Sequence, residues 1–333
     1  MEPIDPRTLL VDDQIFPAVA ATQAFQRLKS IRFLGAIDYA LVRSPNGAGG
    51  NVRYTRYQHS LGVARLAAAY SRMKNLSFSD RRLICLAALL HDIGHAPLSH
   101  SLEPAFRDAF NIEHHNATED IIRGLEPIGS ELHNLLKHHH ICIDRVVDII
   151  AGRDLGFDGF FAGPINFDTI EGILRCQAFV RPSLTIPNPE VVVAAAIRRV
   201  NDRDCNIVDE FWGYKDWVYR NVIGSRVGVL ADYACQSAMR HHIANIGRSD
   251  YFGTEEQIFR KLPGLLNLLV SSSFERDVVR NLDVPIKFTQ RRFYVDGKSD
   301  FSARDDNRRY RQKRCDGIIG LSSDVEWAKL EPK

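Results

Sequence analysis

The strongest constraint in this chain is an apolar run that closes on charged chemistry. Leu83-Ile84-Cys85-Leu86-Ala87-Ala88-Leu89-Leu90 leads directly into His91-Asp92-Ile93-Gly94-His95. A helix that is apolar all round has no face to show water and belongs inside a core. Its end therefore delivers an imidazole and a carboxylate into the interior, where neither is stable unless paired or coordinated. A chain built around this segment folds as a largely helical body with a polar centre.

Helical periodicity extends on both sides. Apolar residues recur at three- and four-residue intervals over most of 15–150 and 190–270, with few prolines inside the runs. Leu61, Val63, Leu66, Ala67 and Tyr70 form one stripe, and Asp80 opens the helix of the apolar run. Loops are marked by Pro45 to Gly50, by the Gly-rich stretch 152–164 and by Pro182, Pro187 and Pro189. Past Pro285 the pattern partly alternates from Ile286 to Val295 and meets Asp296-Gly297, which predicts a small β-hairpin. The expected fold is mostly α, with residues 1–265 as a helical domain and 266–333 as a small, basic, mixed α/β C-terminal part.

Composition narrows the class. Of 333 residues, 45% are hydrophobic, enough for a sizeable core. No stretch approaches the roughly 18 apolar residues of a membrane span, and the acidic start, Glu2 and Asp5, is unlike a secretory signal. The chain is expected in the cytoplasm, without a membrane partner. The six cysteines are scattered, unlike a zinc knuckle or a disulfide scaffold, and are expected as buried free thiols. The formal charge is only +2, but residues 287–314 hold ten Lys or Arg against four Asp. Such a run is usually a solvated face; it also suits a polyanion or a neighbouring subunit.

The polar centre is populated by histidines. His59 opens a helix in Arg56-Tyr57-Gln58-His59-Ser60-Leu61-Gly62, and His59, His91, His95, His100, His114 and His115 are half of the chain's 12 His. A lone histidine reads as a hydrogen-bonded core residue, but few cores need so many, and imidazoles beside Asp92 suit a divalent transition metal. By contrast His138-His139-His140 and His241-His242 are consecutive residues that face different directions on a helix and do not converge. Trp212 and Trp217 read as core. Glu103 lies three residues after His100, so on a helix it reaches the imidazole and raises its pKa, which makes His100 the acid candidate.

Arg56 to Val63 and His91-Asp92-Ile93-Gly94-His95-Ala96-Pro97-Leu98-Ser99-His100 resemble the deoxynucleoside triphosphate triphosphohydrolase branch of the HD superfamily of phosphohydrolases. Ala24 to Lys29, Leu34-Gly35 and Arg226-Val227-Gly228 are similar to further segments of that branch. The resemblance implies an HD helical fold and one metal, iron, manganese, nickel or zinc, on His59, His91, Asp92 and a later aspartate. Asp168 is chosen for that aspartate, in Ile165 to Gly172, with Asp158 and Asp148 as alternatives. It also implies His95, His100 and His114, with Glu103, beside the substrate phosphates, Arg56 and Lys215 as phosphate contacts, a second magnesium or manganese ion joining with substrate, and a homo-oligomer. Phe33, Thr169, Gly172, Cys176 and Ile223 stand where the branch has phosphate or sugar contacts, so hydrolysis of a small phosphorylated substrate, a nucleotide first of all, is expected with a changed sugar pocket. The alternatives are a phosphomonoesterase or phosphodiesterase of the same superfamily, and a non-catalytic nucleotide or nucleic-acid sensor using the basic segment.

Overall fold

The helices expected around His59 and the apolar run form the centre of the fold in the computed structural model. It describes residues 5–10, 13–42, 54–154, 156–157, 163–198, 202–296, 309–320 and 325–327. Pro45 to Gly50, Asp158, Gly297, Arg304 and Arg308 lie outside the described residues. Helix α1 is Arg56–Met73 and α2 is Phe78–Leu90. Thr55 and Gln58 form a reciprocal capping box that fixes where α1 starts, satisfying two otherwise orphaned backbone donors. Ser77 caps α2 through Asp80 N. Between His59 and Ser71 only Arg65 is not buried, and Leu83 to Leu90 are all buried, as an all-apolar helix requires.

The same body holds α3 (Glu103–Phe110), α4 (His114–Arg123), α5 (Phe167–Val180), α6 (Asp202–Val218) and α7 (Arg226–His241). Helix α5 lies against α1 and α6, and α7 against the short helix Ala36–Val42. Among the described residues no helix is long and apolar enough to cross a membrane. All six cysteines are free, as expected, but Cys142 is exposed and Cys315 half-buried.

The C-terminal part is an antiparallel sheet in the order β1 (Ile286–Val295), β2 (Tyr310–Ile319), β3 (Val325–Trp327). The hairpin is present, but its turn is not the expected one. A two-residue turn on Asp296-Gly297 would pair Val295 with Lys298; the register pairs Val295 with Tyr310, and Asp296 N donates to Arg309 O at 2.8 Å. Helix α6 anchors the sheet. Trp212 stacks edge-on to Phe293, with ring centroids 5.4 Å apart, and its indole donates to Tyr294 O. Asp216 accepts from Phe293 N and Arg292 Nε. Trp212 is thus core, as read from the sequence, and Phe293, Tyr310 and Ile319 join the same apolar cluster as the helices.

Candidate metal centre

His59 lies in the first turn of α1 and His91 directly follows α2, so the capping box and the end of the apolar helix set their positions. His59 Nε2 is 3.0 Å from Asp168 Oδ1 and 3.4 Å from Asp92 Oδ2. His91 Nε2 is 3.4 Å from Asp92 Oδ1 and 3.8 Å from Asp168 Oδ1. Asp168 occupies the first turn of α5, which Asn166 caps through Thr169 N. Asp148 lies in the helix Ile143–Ile150, outside this group.

The tautomers follow from the partners. His59 Nδ1 donates to Glu171 Oε2 at 2.5 Å and His91 Nδ1 donates to Ala88 O at 2.8 Å, so in each ring Nε2 is the nitrogen left to face Asp92 and Asp168. His91 Nε2 is a buried acceptor with no hydrogen-bond partner, an arrangement that costs about 1–3 kcal/mol if left so. Burial disfavours charge on His59, but Glu171, Asp168 and Asp92 outweigh it and push the pKa up to about 9. The carboxylates thus favour positive charge at this point, and His59, His91 and Asp168, with Asp92 beside them, offer donors that suit a divalent metal.

Glu171 is the residue that the sequence reading left without a role. It stands three residues after Asp168 and thus on the same face of α5, and together they grip the two nitrogens of His59. Burial opposes ionisation of Glu171, but Arg175 and His59 hold it below the ordinary carboxylate range; Arg175 Nε donates to it at 2.7 Å. Gly62 makes room, because a Cβ there would lie 2.2 Å from Glu171 Oε1. Glu171→Gln is expected to weaken metal binding by about 10- to 100-fold, the usual loss when a ligand's orienting partner is removed. Competitive metal titration of the folded variant measures this; unchanged affinity would mean that His59 is oriented without Glu171.

A second group faces the first. His95, His100 and His114 bring ligand-capable nitrogens within 4.8 Å of one another. His95 and His114 stack with centroids 4.5 Å apart, and His100 meets His95 edge-on at 4.7 Å. Glu103, on α3, accepts from His100 Nδ1 at 2.8 Å and from the ring and backbone N–H of His114, leaving both Nε2 atoms for the cleft. The predicted contact exists, but the expected rise of the His100 pKa does not. The surrounding cleft first, then Arg56 and His114, lowers it despite Glu103. Both nitrogens of buried His95 lack a hydrogen-bond partner, and desolvation followed by Arg56 keeps this ring neutral.

Arg56 ties the two groups together. It donates from Nη1 to Asp92 Oδ2 at 2.6 Å and from Nε to Ser99 Oγ at 3.0 Å, and Ser99 donates to Arg32 O. Leu98 and Ser99 both have positive φ, 59° and 48°, a strain of about 1–3 kcal/mol per residue that tight local bonding must hold. This bend carries the chain from His95 to His100.

Asp92 and Asp168 of the first group and all three histidines of the second line one cleft of about 690 Å³, with Phe33, Thr169, Gly172, Cys176 and Ile223 on its wall. Phe33 packs on His59 at 4.7 Å between centroids, and a Cβ at Gly172 would lie 3.1 Å from Phe33 Cζ. The aromatic ring thus fills the room that a larger residue 172 needs. Lys215 is placed differently from expectation, outside the cleft lining. Its ammonium donates to Pro164 O at 3.1 Å and lies 4.4 Å from the Trp212 ring; burial lowers its pKa to about 8. Arg291, from β1, lines the cleft instead.

Residues 56–151 match the family model described as HD domain. His59, His91 and Asp92 fall inside that match, and Asp168, which completes the cluster, lies beyond it. Among its relatives, the uncharacterized protein MG461 homolog of Mycoplasma pneumoniae is 36% identical over 185 residues, 52% of this chain and 41% of that protein. The deoxynucleoside triphosphate triphosphohydrolase SAMHD1 of Gallus gallus is 29% identical over 156 residues, 44% of this chain and 23% of that protein. The chain spans less than half the length of these curated relatives. A crystal structure of a hypothetical protein from Aquifex aeolicus shares the fold, with a TM-score of 0.62 at 16% identity over 86% of each chain.

Proposed function

We propose that this chain hydrolyses a phosphate ester or anhydride of a nucleotide. The observation that carries this reading is one cleft lined both by Asp92 and Asp168, the carboxylates beside His59 and His91, and by the His95-His100-His114 group. His59, His91, Asp92 and Asp168 would hold the metal, which supplies Lewis acidity toward a phosphate oxygen and lowers the pKa of an attacking water. Arg56 neutralises charge on the same oxygens while keeping Asp92 oriented. His95, neutral and in the cleft wall, hydrogen-bonds phosphate, and His100, held by Glu103, gives its proton to the leaving oxygen. A second, weaker magnesium or manganese ion would join with the substrate. The activity resembles that of the triphosphohydrolase branch, acting in the cytoplasm as a homo-oligomer.

Iron, manganese, nickel or zinc suits two imidazoles with two carboxylates better than magnesium alone. Elemental analysis of protein purified without added metal, followed by a phosphate-release screen across nucleotides, tests the proposal. Absence of metal together with no response to added ions refutes it.

The apolar wall of Phe33, Gly172 and Cys176 favours a second reading of specificity, shared with a phosphomonoesterase or phosphodiesterase of the superfamily. A wall without hydroxyl partners separates ribose from deoxyribose by about 10- to 200-fold at most. Values of kcat/KM for matched ribo and deoxy pairs, at fixed metal, check this. An exclusive preference for one deoxynucleoside triphosphate would overturn it.

A further inference from the structure

Between α7 and β1 a second cavity of about 450 Å³ opens beside the cleft, and Tyr219, Ile223, Asp232 and Arg291 line both. A cleft of about 690 Å³ already has the size that holds one small ligand, about 300–1,000 Å³. The adjoining cavity adds room for a further unit. Tyr219 and Ile223 belong to a π-helical turn, Tyr219–Ile223, that joins α6 to α7, and such turns concentrate at functional sites because they redirect side chains.

The charge at this junction has no structural account. Arg291 is the cross-strand partner of Arg314, and like charges directly opposite one another destabilise a strand pair. Both are exposed, as is Lys287 in the cavity wall, and among the described residues none of the three has a carboxylate partner. Their neighbours do: Arg292 pairs with Asp216, Arg309 with Asp209 and Arg311 with Asp296. Of the three, Lys287 and Arg291 belong to the cavity wall, and Arg314 lies opposite Arg291 on the neighbouring strand. Its walls also carry Tyr219, Tyr233 and Phe288, and the guanidinium of Arg291 lies 5.1 Å from the Tyr219 ring centre. Cations that track phosphates beside aromatic surfaces that stack bases are the means by which proteins hold single-stranded nucleic acid.

We propose that this cavity is a subsite for a nucleotide joined through a phosphodiester to the one whose phosphate lies in the cleft. The substrate is then a dinucleotide or the end of a short single strand rather than a mononucleotide. This rests on the reading of the cleft as a nucleotide phosphohydrolase site, and two measurements separate the claims. The first compares kcat/KM for a 5′-phosphorylated dinucleotide and the matching mononucleotide. The dinucleotide is expected to lead by about 10-fold or more, the scale of one stacked base, and the ratio is expected to fall toward one in a Lys287→Glu, Arg314→Glu double variant. The second is equilibrium binding of fluorescent versions of both ligands, which does not depend on turnover. Turnover with no length preference in either measurement overturns the subsite and leaves the cleft reading intact. A length preference in binding that charge reversal removes, with no hydrolysis of any nucleotide, supports the subsite and refutes the cleft reading.

Discussion

Asp92→Ala is expected to purify without its metal and to release no phosphate from any nucleotide. Asp92 touches every part of the site: its oxygens lie 3.4 Å from His59 Nε2 and from His91 Nε2, 3.2 Å from His95 Nε2, and accept a 2.6 Å bond from Arg56. Burial opposes its ionisation, but the neighbouring His91 and the guanidinium of Arg56 hold its carboxyl well below the ordinary range. Removing the carboxylate also strands a buried guanidinium, since the Arg56 side chain is only 6% exposed. Breaking a buried ion pair from one side costs about 3–5 kcal/mol. The variant should therefore melt earlier as well as lose metal, and Asp92→Asn, which leaves an oxygen for Arg56, should recover part of the stability but not the turnover. Metal content, thermal melting and phosphate release on both variants check this. A metal-loaded, active Asp92→Ala would remove Asp92 from the ligand set.

What the sequence made legible was the part of the site carried by local pattern. The apolar run ending at His91-Asp92 required both a buried helix and a reason for its polar end, and the helical stripe of Leu61 to Tyr70 placed His59 on its partner. Asp168 was legible through the segment it shares with the resembled branch. Glu171 was not, although its three-residue spacing from Asp168 was in plain view, because nothing local says that His59, 112 residues away in the chain, lies against that face. Lys215 and Arg291 show the same limit from the other side. A cation aligned by position alone sits behind the cleft on Pro164 O, whereas one on the basic C-terminal strand reaches the cleft wall, because α6 docks that strand through Trp212 and Asp216. The turn at Asp296-Gly297 is a local signal that tertiary pairing overrides: docking on α6 sets the register of β1 and β2.

His100→Ala is expected to lower turnover by about 100- to 10,000-fold, the range for loss of a general acid, with metal content unchanged. The geometry separates the two effects. His100 stands in the second histidine group and is not among the His59, His91 and Asp168 donors. Its side chain is 62% exposed in the cleft, so truncation leaves no packing defect in the core. Its Nδ1 is spoken for by Glu103, which leaves Nε2 as the atom that meets the leaving oxygen. Glu103→Gln should reduce turnover less, because an amide oxygen still accepts one of the imidazole N–H groups, although it no longer favours the protonated ring. A leaving group that needs no proton supplies the discriminating measurement. For a p-nitrophenyl ester the His100→Ala deficit should shrink toward wild type, whereas the Asp92→Ala deficit should not. An equal deficit on activated and unactivated substrates would show that His100 binds phosphate rather than protonating the leaving group. Loss of metal in the His100 variant would make it a ligand, and the division of the cleft into a metal side and an acid side would fall.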